Sequence, residues 1–350
     1  MITNGMAKND KKLEKVSVIT TFYNAEKFII QAISSVNQQL INGFELEYVI
    51  VDDKSPCNSR KMVEQFVKVQ GNKKIDFKII EPNENLGCGG ARKFGIDNST
   101  GDYLMFLDAD DYYMHTDFIY RAYNDIKREN ADIVEYGIIF NQANGNQANN
   151  TVPNKIVITD PKIATIALFK DNIIKFNVWS KIYTRAITET LPYSTTRVYE
   201  DVRTIPIWVS NAKKIVIMPT PEINYRAAGG SIIREDQIKT RIGTITAIAE
   251  LFDNELFNKD LQIMKAMYGR AMVDLEAVLN GHSSNDPGYI EMCKLNTKML
   301  KHIYPNNWQD FTFDIEEYNN SMSNKNDKIP KLENITPDNL NLDNIEGWEE

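Results

Sequence analysis

Alternation between two hydrophobic periods over the first 140 residues is the feature that most constrains the fold of this 350-residue chain. Short β-branched and apolar runs, typical of strands covered on both faces, occupy residues 16–22, 46–51, 75–80, 102–107 and 131–140. Between these runs, apolar residues recur at helical spacing. Strands that alternate with helices predict an α/β fold with a mostly parallel, doubly wound, Rossmann-like sheet. Ligands of such sheets bind at the carboxyl ends of the strands.

Four local signals make narrower predictions. Asn24 is expected to cap the first helix, and the glycine-rich residues 85–95 are expected to form a turn that leads into a short helix. The polar residues 141–154 predict a loop. Residues 200–212 have a helical pattern, but Pro206 is expected to kink or end that helix unless it lies in the first turn.

The second half of the chain changes from mixed to helical signals. Residues 155–235 have no single period, apart from a short strand predicted at 213–218, whereas residues 238–304 have a helical pattern. One apolar stripe in this pattern, which fits either core or a dimer interface, consists of Ile263, Met267, Ala271, Leu275 and Val278. A homo-oligomer formed through these helices is therefore one expectation. Residues 306–350 are rich in Asn, Asp and Glu, and we expect them to be weakly ordered.

Charge and cysteine usage limit the partners and the compartment. The chain has 40 Lys and Arg against 48 Asp and Glu, a net charge of −8, which argues against nucleic acid as a partner. Its three cysteines form no CxxC pair, which favours a reducing cytoplasm over a disulfide scaffold or a structural zinc site. The polar N-terminus and the lack of an apolar run of roughly 18 residues predict no transmembrane segment. We expect a cytoplasmic protein that reaches a membrane only peripherally, at its inner face.

Acidic residues follow apolar segments at three places in the predicted α/β region. They are Asp52–Asp53, the group Asp108, Asp110 and Asp111, and Glu200–Asp201. In a doubly wound sheet the first two groups lie at one edge, where gathered carboxylates are costly unless a cation neutralises them. Mg²⁺ or Mn²⁺, bound through one or two carboxylates and the oxygens of a diphosphate, would do so.

Several other α/β classes do not match this layout. A receiver domain would be about a third of this length, and "DADD" at 108–111 breaks the DxDx(T/V) motif of haloacid-type phosphatases. "TTFYNAEKF" follows the first strand where a sugar nucleotidyltransferase needs a glycine- and arginine-rich loop. Neither a P-loop nor a GxGxxG fingerprint is present, and "GCGGARKFG" follows the third strand, so it is weak evidence for phosphate binding on its own.

Four motifs in order carry a specific resemblance. They are "VSVITTFYNAEKFIIQAISSVNQQ", "EYVIVDDKS", "NENLGCGGARKFGIDNSTGDYLMFLDADD" and "YEDV". Over residues 14–235 the chain resembles family 2 glycosyltransferases of the GT-A fold. It looks like the bacterial subgroup with "WxKIY", "YEDV" and "YR…GSI", which here are Trp179–Tyr183, Tyr199–Val202 and Tyr225–Ile232.

The resemblance implies a domain plan and an activity. A flexible N-terminus at 1–13 would precede a nucleotide-sugar part at 14–140 and an acceptor part at 155–235. A helical region at 236–305 and the polar tail would follow. The implied activity is inverting, metal-dependent transfer of a sugar from a UDP-sugar to an acceptor hydroxyl in cell-surface polysaccharide or glycoconjugate synthesis. A glycan, a lipid-linked or a protein acceptor would fit, and the alternative is a degenerate module that binds a nucleotide-sugar or a partner without catalysis.

The resemblance also implies roles for residues that match the motifs. Thr21 and Tyr23 would border the nucleotide, and Asp53 would accept a hydrogen bond from the uracil N–H. Arg92 would approach the sugar or the diphosphate of the donor. Asp108 would face the ribose or the donor sugar. These five residues form the implied nucleotide-sugar site.

Metal binding and catalysis are implied for the remaining acids. Asp110, and Asp111 as a second candidate, would bind Mn²⁺ or Mg²⁺, and Asp201 would be the catalytic base. Contacts to the acceptor or to the diphosphate are possible for Trp179, Glu200 and Arg226. Two departures from the family pattern are Lys93, where many relatives have Asn, and the lack of a His between residues 116 and 281 that could serve as a metal ligand.

Each of these residues also has a structural interpretation. Asp52 could simply cap a turn, and Asp111 could cap the segment that follows it. Glu200 and Asp201 could be ordinary acids at a helix start, where the helix dipole would lower the pKa of Asp201 if anything. Trp179 is more often a core residue than a sugar platform. Arg226, Gly229 and Gly230 are candidates for a mobile flap over the diphosphate.

Overall fold

A single mixed sheet forms the centre of the molecule in a computed structural model that describes residues 12–141, 147–170, 173–190, 192–226, 237–279 and 287–306. The strands are β1 (Lys15–Phe22), β2 (Glu45–Asp52), β3 (Ile75–Ile80), β4 (Tyr103–Phe106), β5 (Tyr112–Tyr113), β6 (Ile133–Asn141), β7 (Gln147–Asn150), β8 (Ile156–Ile158), β9 (Lys181–Thr184) and β10 (Ile215–Arg226). The strand order is β3-β2-β1-β4-β9-β6-β10-β5, with β7 paired to β6 and β8 paired to β10.

Ten helices surround this sheet within the described residues. They are α1 (Ile29–Asn37), α2 (Ser59–Gln70), α3 (Gly87–Asp97), α4 (Phe118–Glu129), α5 (Pro161–Lys170), α6 (Arg185–Thr190), α7 (Glu200–Asn211), α8 (Gln237–Leu251), α9 (Leu261–Leu279) and α10 (Pro287–Ile303). Helices α1 to α4 connect the strands of the first half of the chain. The predicted α/β fold, with helices in the C-terminal region, is confirmed.

The first half of the sheet is parallel and the second half is mixed. Strand β1 pairs in parallel with β2 and β4, and β2 pairs in parallel with β3. Strand β9 is antiparallel to both β4 and β6, whereas β10 runs parallel to β6. Core residues such as Val18, Val49 and Leu104 are fully buried, as expected for strands covered on both faces. The parallel half therefore brings the carboxyl ends of β1, β2 and β4 to one edge.

Two local predictions were wrong, as was the expectation that a helix ends at Pro206, whereas a kink there stays a prediction. Helix α1 begins at Ile29, because Asn24 adopts a left-handed conformation (φ 54°) and residues from Ala25 form a turn before the helix. Part of the predicted polar loop is strand β7, which gains hydrogen bonds by pairing with β6. Pro206 lies inside α7 rather than in its first turn or at its end. The helix continues to Asn211, and burial of its apolar face against the core offsets the lost hydrogen bond.

The C-terminal helices pack within the chain. The apolar stripe of α9 is buried, which identifies it as core, and its members are Ile263, Met267, Ala271, Leu275 and Val278. A homo-oligomer through these helices stays a prediction. None of the helices in the described ranges is both long and apolar enough to cross a bilayer. The predicted tail from residue 307 onward, residues 1–11 and the glycines at 229 and 230 lie outside the described residues.

A buried carboxylate near the start of β2, far from the carboxyl edge, stabilises the sheet through hydrogen bonds. Glu47 on β2 is fully buried, and it accepts hydrogen bonds from Ser17, from Lys78 Nζ at 2.6 Å, and from the amide and hydroxyl of Thr100 at 2.8 Å each. Burial alone would raise the pKa of Glu47, but the hydrogen bonds from Lys78, Ser17 and Thr100 outweigh it and lower the pKa to about 2. The ionised form is therefore the one that the fold stabilises.

Glu47→Gln is expected to lower the free energy of unfolding by about 2–3 kcal/mol at pH 7. Because the folded-state pKa lies below the ordinary value of 4.5, this stabilisation is present above pH 4.5 and disappears as the pH falls toward 2. Urea denaturation at pH 7 and at pH 3 measures both effects. Glu45→Gln, on the same strand with its side chain half exposed, is the matched control and should change stability by less than about 0.5 kcal/mol. An equal loss in both variants at pH 7 would contradict the prediction.

Candidate active site

The predicted nucleotide residues meet at the carboxyl edge of the parallel strands. Thr21 lies near the end of β1, where it is partly buried, and Tyr23 follows the strand with 52% of its surface exposed. Asp53 follows β2, and its amide donates to Phe22 O at 2.9 Å. The acidic loop after β4, which begins at Asp108, emerges at the same edge because β4 pairs in parallel with β1. The expected clustering of these groups is therefore present.

Three carboxylates of the acidic loop form one cluster. Asp108, Asp110 and Asp111 each offer a ligand oxygen, and these oxygens all lie within 4.8 Å of one another. Asp111 is buried, and its Oδ1 accepts from the amide of Arg226 at 2.8 Å, so it does not cap the segment that follows it. Its Oδ2 is buried and has no hydrogen-bond partner among the described residues. Such an unsatisfied carboxylate oxygen is costly.

The electrostatics of this cluster fit a divalent cation. Burial, and then repulsion from Asp108 and Asp110, raise the pKa of Asp111 to about 9. Burial and repulsion from Asp108 also raise the pKa of Asp110. Oxygen ligands of this kind are those that Mg²⁺ and Mn²⁺ prefer. A cation would satisfy the orphan oxygen of Asp111 and remove the repulsion.

Asp53 anchors the start of α3. Its two carboxylate oxygens accept from the amides of Leu86 at 2.7 Å and Gly87 at 2.9 Å, and its carbonyl accepts from the side chain of Asn85 at 2.7 Å. A carboxylate at a helix N-terminus is stabilised by the free amides and the dipole there. Asp52 binds the amide of Ser55 at 2.9 Å, which is the turn-capping interpretation. The structure thus gives both acids a role in holding the loops of the site.

The glycine-rich segment is helical, which corrects the prediction of a turn. Helix α3 begins at Gly87 itself, which has a φ of 73°. A Cβ on Gly89 would lie 2.4 Å from Thr196 O, and one on Gly87 would lie 2.7 Å from the side chain of Arg197. The glycines therefore allow the backbone before α7 to approach α3 closely. The glycine-rich sequence resembles a phosphate-binding loop, but in this structure it forms the surface of α3 on which the backbone before α7 packs.

Arg92 of α3 joins two of the predicted acidic groups. Its side chain is 7% exposed and donates to Asp108 Oδ1 at 2.5 Å through Nη2 and to Glu200 through Nη1. Charge-assisted pairs of this kind are strong when both partners are desolvated. Glu200 is buried and turned toward Arg92. The structure thus brings the acidic loop and the start of α7 together through one guanidinium group.

The start of α7 places Asp201 next to Glu200. Tyr199 precedes them in a left-handed conformation, with a φ of 57°. Burial, and then the charge of Glu200, raise the pKa of Asp201 to about 7, although the amide of Val202 donates to its Oδ1 at 2.8 Å. The expectation of a lowered pKa at a helix start was wrong, because desolvation and a neighbouring carboxylate outweigh the helix dipole. A group with a pKa near neutral is well suited to proton transfer.

Arg226 is the last residue of β10, and Trp179 lies just before β9. Arg226 donates to Asp110 O at 2.9 Å, and its guanidinium lies over the rings of Phe28 and Tyr112, 4.9 and 4.8 Å from their centroids. Trp179 is 8% exposed and stacks on the ring of Tyr225, with a centroid distance of 5.5 Å. Arg226 therefore belongs to the acidic cluster, whereas Trp179 is mainly a packing residue.

The two departures from the family pattern are both accommodated. Lys93 pairs with Asp97 at 2.5 Å on the exposed surface of α3. His115, which precedes the interval without histidines, binds Glu222 through Nδ1 at 3.0 Å. Neither residue joins the acidic cluster, so the cluster consists of carboxylates within the described part of the chain.

Comparison with known proteins identifies the family. A model of the family described as Glycosyl transferase family 2 matches residues 17–193. The chain belongs to this family. It is a glycosyltransferase, and the matched residues include the acidic loop, the glycine-rich helix and Asp53. The family resemblance inferred from the four motifs is confirmed.

Three relatives of this family 2 glycosyltransferase illustrate the match. Glycosyltransferase GlyG of Streptococcus pneumoniae serotype 4 is 22% identical over 291 residues, which cover 80% of this chain and 94% of that protein. Minor teichoic acid biosynthesis protein GgaB of Bacillus subtilis is 26% identical over 249 residues, which cover 70% of this chain but 26% of that protein. The crystal structure of S. aureus TarS 1–349 in complex with UDP-GlcNAc has a TM-score of 0.64 and 17% identity, covering 89% of this chain and 92% of that one. These likenesses support the GT-A fold.

Proposed function

We propose that this glycosyltransferase is an inverting, metal-dependent enzyme that transfers a sugar from a UDP-sugar to an acceptor hydroxyl. The observation that carries the proposal is the Arg92 bridge, which holds the carboxylate cluster beside the Glu200–Asp201 pair. One group would bind the donor diphosphate through a metal ion, and the other would activate the acceptor. Both halves of the proposed reaction would thus be supplied by groups that Arg92 holds together.

The cluster of three carboxylates would hold the metal ion. Asp110 and Asp111 are the proposed ligands, since Asp111 has the orphan oxygen and Asp110 lies within the same cluster. A bound Mn²⁺ or Mg²⁺ supplies Lewis-acid stabilisation of the negative charge that develops on the departing diphosphate. Asp108, paired with Arg92, would face the ribose or the donor sugar. Arg92 would keep that carboxylate oriented.

Asp201 is the proposed base. The acceptor hydroxyl would attack the anomeric carbon from the face opposite the leaving diphosphate, forming the new C–O bond as the sugar–phosphate bond breaks. The hydroxyl proton would pass to a carboxylate oxygen of Asp201. One direct displacement of this kind inverts the anomeric configuration. Glu200, held by Arg92, would fix the start of α7 rather than take the proton.

UDP-sugars are the proposed donors, because TarS 1–349, which shares the fold, was crystallised with UDP-GlcNAc. Thr21 and Tyr23 would border the nucleotide. Asp53 has each carboxylate oxygen engaged by one amide, which leaves acceptor capacity for the uracil N–H. A hydroxyl of a cell-surface polymer is the proposed acceptor, in keeping with the teichoic acid biosynthesis named for GgaB. Lipid-linked and protein acceptors are the alternatives to be compared.

A donor panel tests the proposal. The protein is incubated with Mn²⁺ and a set of UDP-sugars, with GDP-mannose as the matched control, and hydrolysis of the donor is followed by mass spectrometry. At least one UDP-sugar is expected to be hydrolysed slowly and to raise the melting temperature, and excess EDTA should abolish both effects. Turnover that survives EDTA would reject the metal role. Binding of UDP-sugars without turnover on any acceptor would favour the non-catalytic alternative.

A further inference from the structure

Helix α8 of the C-terminal region lies against the segment that carries the proposed base. A Cβ on Gly243 would be 2.0 Å from Cε2 and 2.5 Å from Cδ2 of Tyr199, the residue before Glu200. No side chain tolerates such distances, so only glycine allows the ring to lie directly on the α8 backbone. Glycine inside a helix lowers its stability. The close approach of Tyr199 explains why Gly243 stands at this position.

Tyr199 needs such support. Its left-handed conformation, with a φ of 57°, is uncommon for a bulky residue and persists only where the surroundings hold it. The turn at Tyr199 sets the direction in which α7 starts. The backbone of Glu200 and Asp201, the next two residues, is thus oriented by how firmly Tyr199 is held.

A second contact joins α8 to the same turn. Arg203 of α7 pairs with Glu250 of α8 through two hydrogen bonds, Nε to Oε2 at 2.6 Å and Nη2 to Oε1 at 3.0 Å. The remaining nitrogen, Nη1, donates to the carbonyl of Tyr199 at 3.2 Å. Such a two-point Arg–carboxylate pair fixes the guanidinium plane. Helix α8 therefore holds both the ring and the backbone carbonyl of Tyr199.

We infer that Gly243, Arg203 and Glu250 are positioning residues through which the C-terminal helices orient Asp201 for proton transfer. The inference rests on the proposed function. These three residues act through Tyr199, and within the described part of the chain the hydrogen bonds of Arg203 and Glu250 go to each other and to Tyr199 rather than to the proposed donor residues after β1, β2 and β4. Disturbing them should therefore slow the chemical step without weakening donor binding. The C-terminal helical region thereby helps to position the proposed base.

Two variants test this role in the full-length chain with Mn²⁺ and the active UDP-sugar. Glu250→Gln is expected to lower kcat about threefold, and Gly243→Ala, which forces the ring of Tyr199 to move, at least about tenfold. The KM for the donor and the thermal shift caused by UDP should stay within twofold of wild type. Glu255→Gln, which removes the exposed Glu255–Lys259 pair of the same region, is the matched control and should leave kcat unchanged.

The results distinguish failure of the positioning role from failure of the proposed function. A fall in kcat with an unchanged donor KM supports the positioning role, whereas an unchanged kcat in Glu250→Gln overturns it, even if Gly243→Ala does not fold. Equal losses in Glu250→Gln and Glu255→Gln would also overturn it, since the effect would then be general destabilisation. If wild type itself transfers no sugar from any UDP-sugar, the proposed function fails instead.

Discussion

Asp201→Asn is expected to reduce sugar transfer by about 10²–10⁴-fold while UDP-sugar binding stays intact. Asparagine has the same shape and keeps the hydrogen bond from the amide of Val202, but it cannot take the proton of the acceptor hydroxyl. Single-turnover transfer measures the chemical step, and a UDP thermal shift measures binding. Because the ionised carboxylate is desolvated beside Glu200, the substitution should not lower the free energy of unfolding above pH 7.

The pH dependence of transfer has a defined sign. Asp201 must be ionised to accept a proton, and its pKa is raised to about 7 by burial and by Glu200. The rate should therefore rise as the pH increases through 7 and level off above about pH 8. Asp97→Asn, an exposed substitution of the same type on α3, should keep the wild-type rate and profile. Transfer by Asp201→Asn at more than a tenth of the wild-type rate would reject Asp201 as the base.

Asp111→Asn is expected to abolish the Mn²⁺-dependent thermal shift and to lower transfer by at least about 100-fold. The amide retains an acceptor for the N–H of Arg226, so the loop geometry should persist. Burial and the neighbouring carboxylates raise the pKa of Asp111 to about 9, so without metal the group is protonated at neutral pH and the neutral amide removes no favourable charge interaction. Without metal, the variant should therefore be at least as stable as wild type. Loss of metal binding together with retained stability is the signature of a ligand.

Asp110→Asn distinguishes the two candidate ligands. If Asp110→Asn alone loses the Mn²⁺ response and Asp111→Asn keeps it, Asp110 is the main ligand and the buried Asp111 is structural. Asp76→Asn, an exposed position on β3, is the control and should bind Mn²⁺ as wild type does. A full Mn²⁺ response in both Asp110→Asn and Asp111→Asn would refute a metal site in this cluster.

The sequence was sufficient for the parallel half of the sheet and for the expectation that Asp53 and Asp108 lie at its carboxyl edge. Runs such as 16–22 and 46–51 consist mostly of β-branched and apolar residues, which is typical of a strand buried on both faces. The carboxyl ends of parallel strands meet at one edge of a sheet, so Asp53 and Asp108 could be expected there from the sequence. Hydrophobic patterns that result from burial are local, so they can be recognised directly in the sequence.

Contacts between distant segments could not be predicted in the same way. The glycines at 87 and 89 indicate a turn when considered alone, and only the approach of residues 194–200 explains their place in a helix. The sign of the pKa shift of Asp201 depends on burial beside Glu200, whereas its position at a helix start suggests the opposite. The roles of Gly243 and Glu250 leave no signal in the motifs. Glycine inside an otherwise helical pattern was the one clue available.

Strand β9 has a consequence for how the chain can be divided. It lies between β4 and β6 and pairs with both, although it comes from residues 181–184, well after either strand in sequence. The proposed donor and acceptor parts, residues 14–140 and 155–235, therefore share one sheet and do not form separate folding units. A fragment that ends near residue 150 would expose the edges of β4 and β6 and would tend to pair with other chains. An exchange of either proposed part between relatives is therefore expected to preserve the fold only if β9 keeps matching partners in β4 and β6.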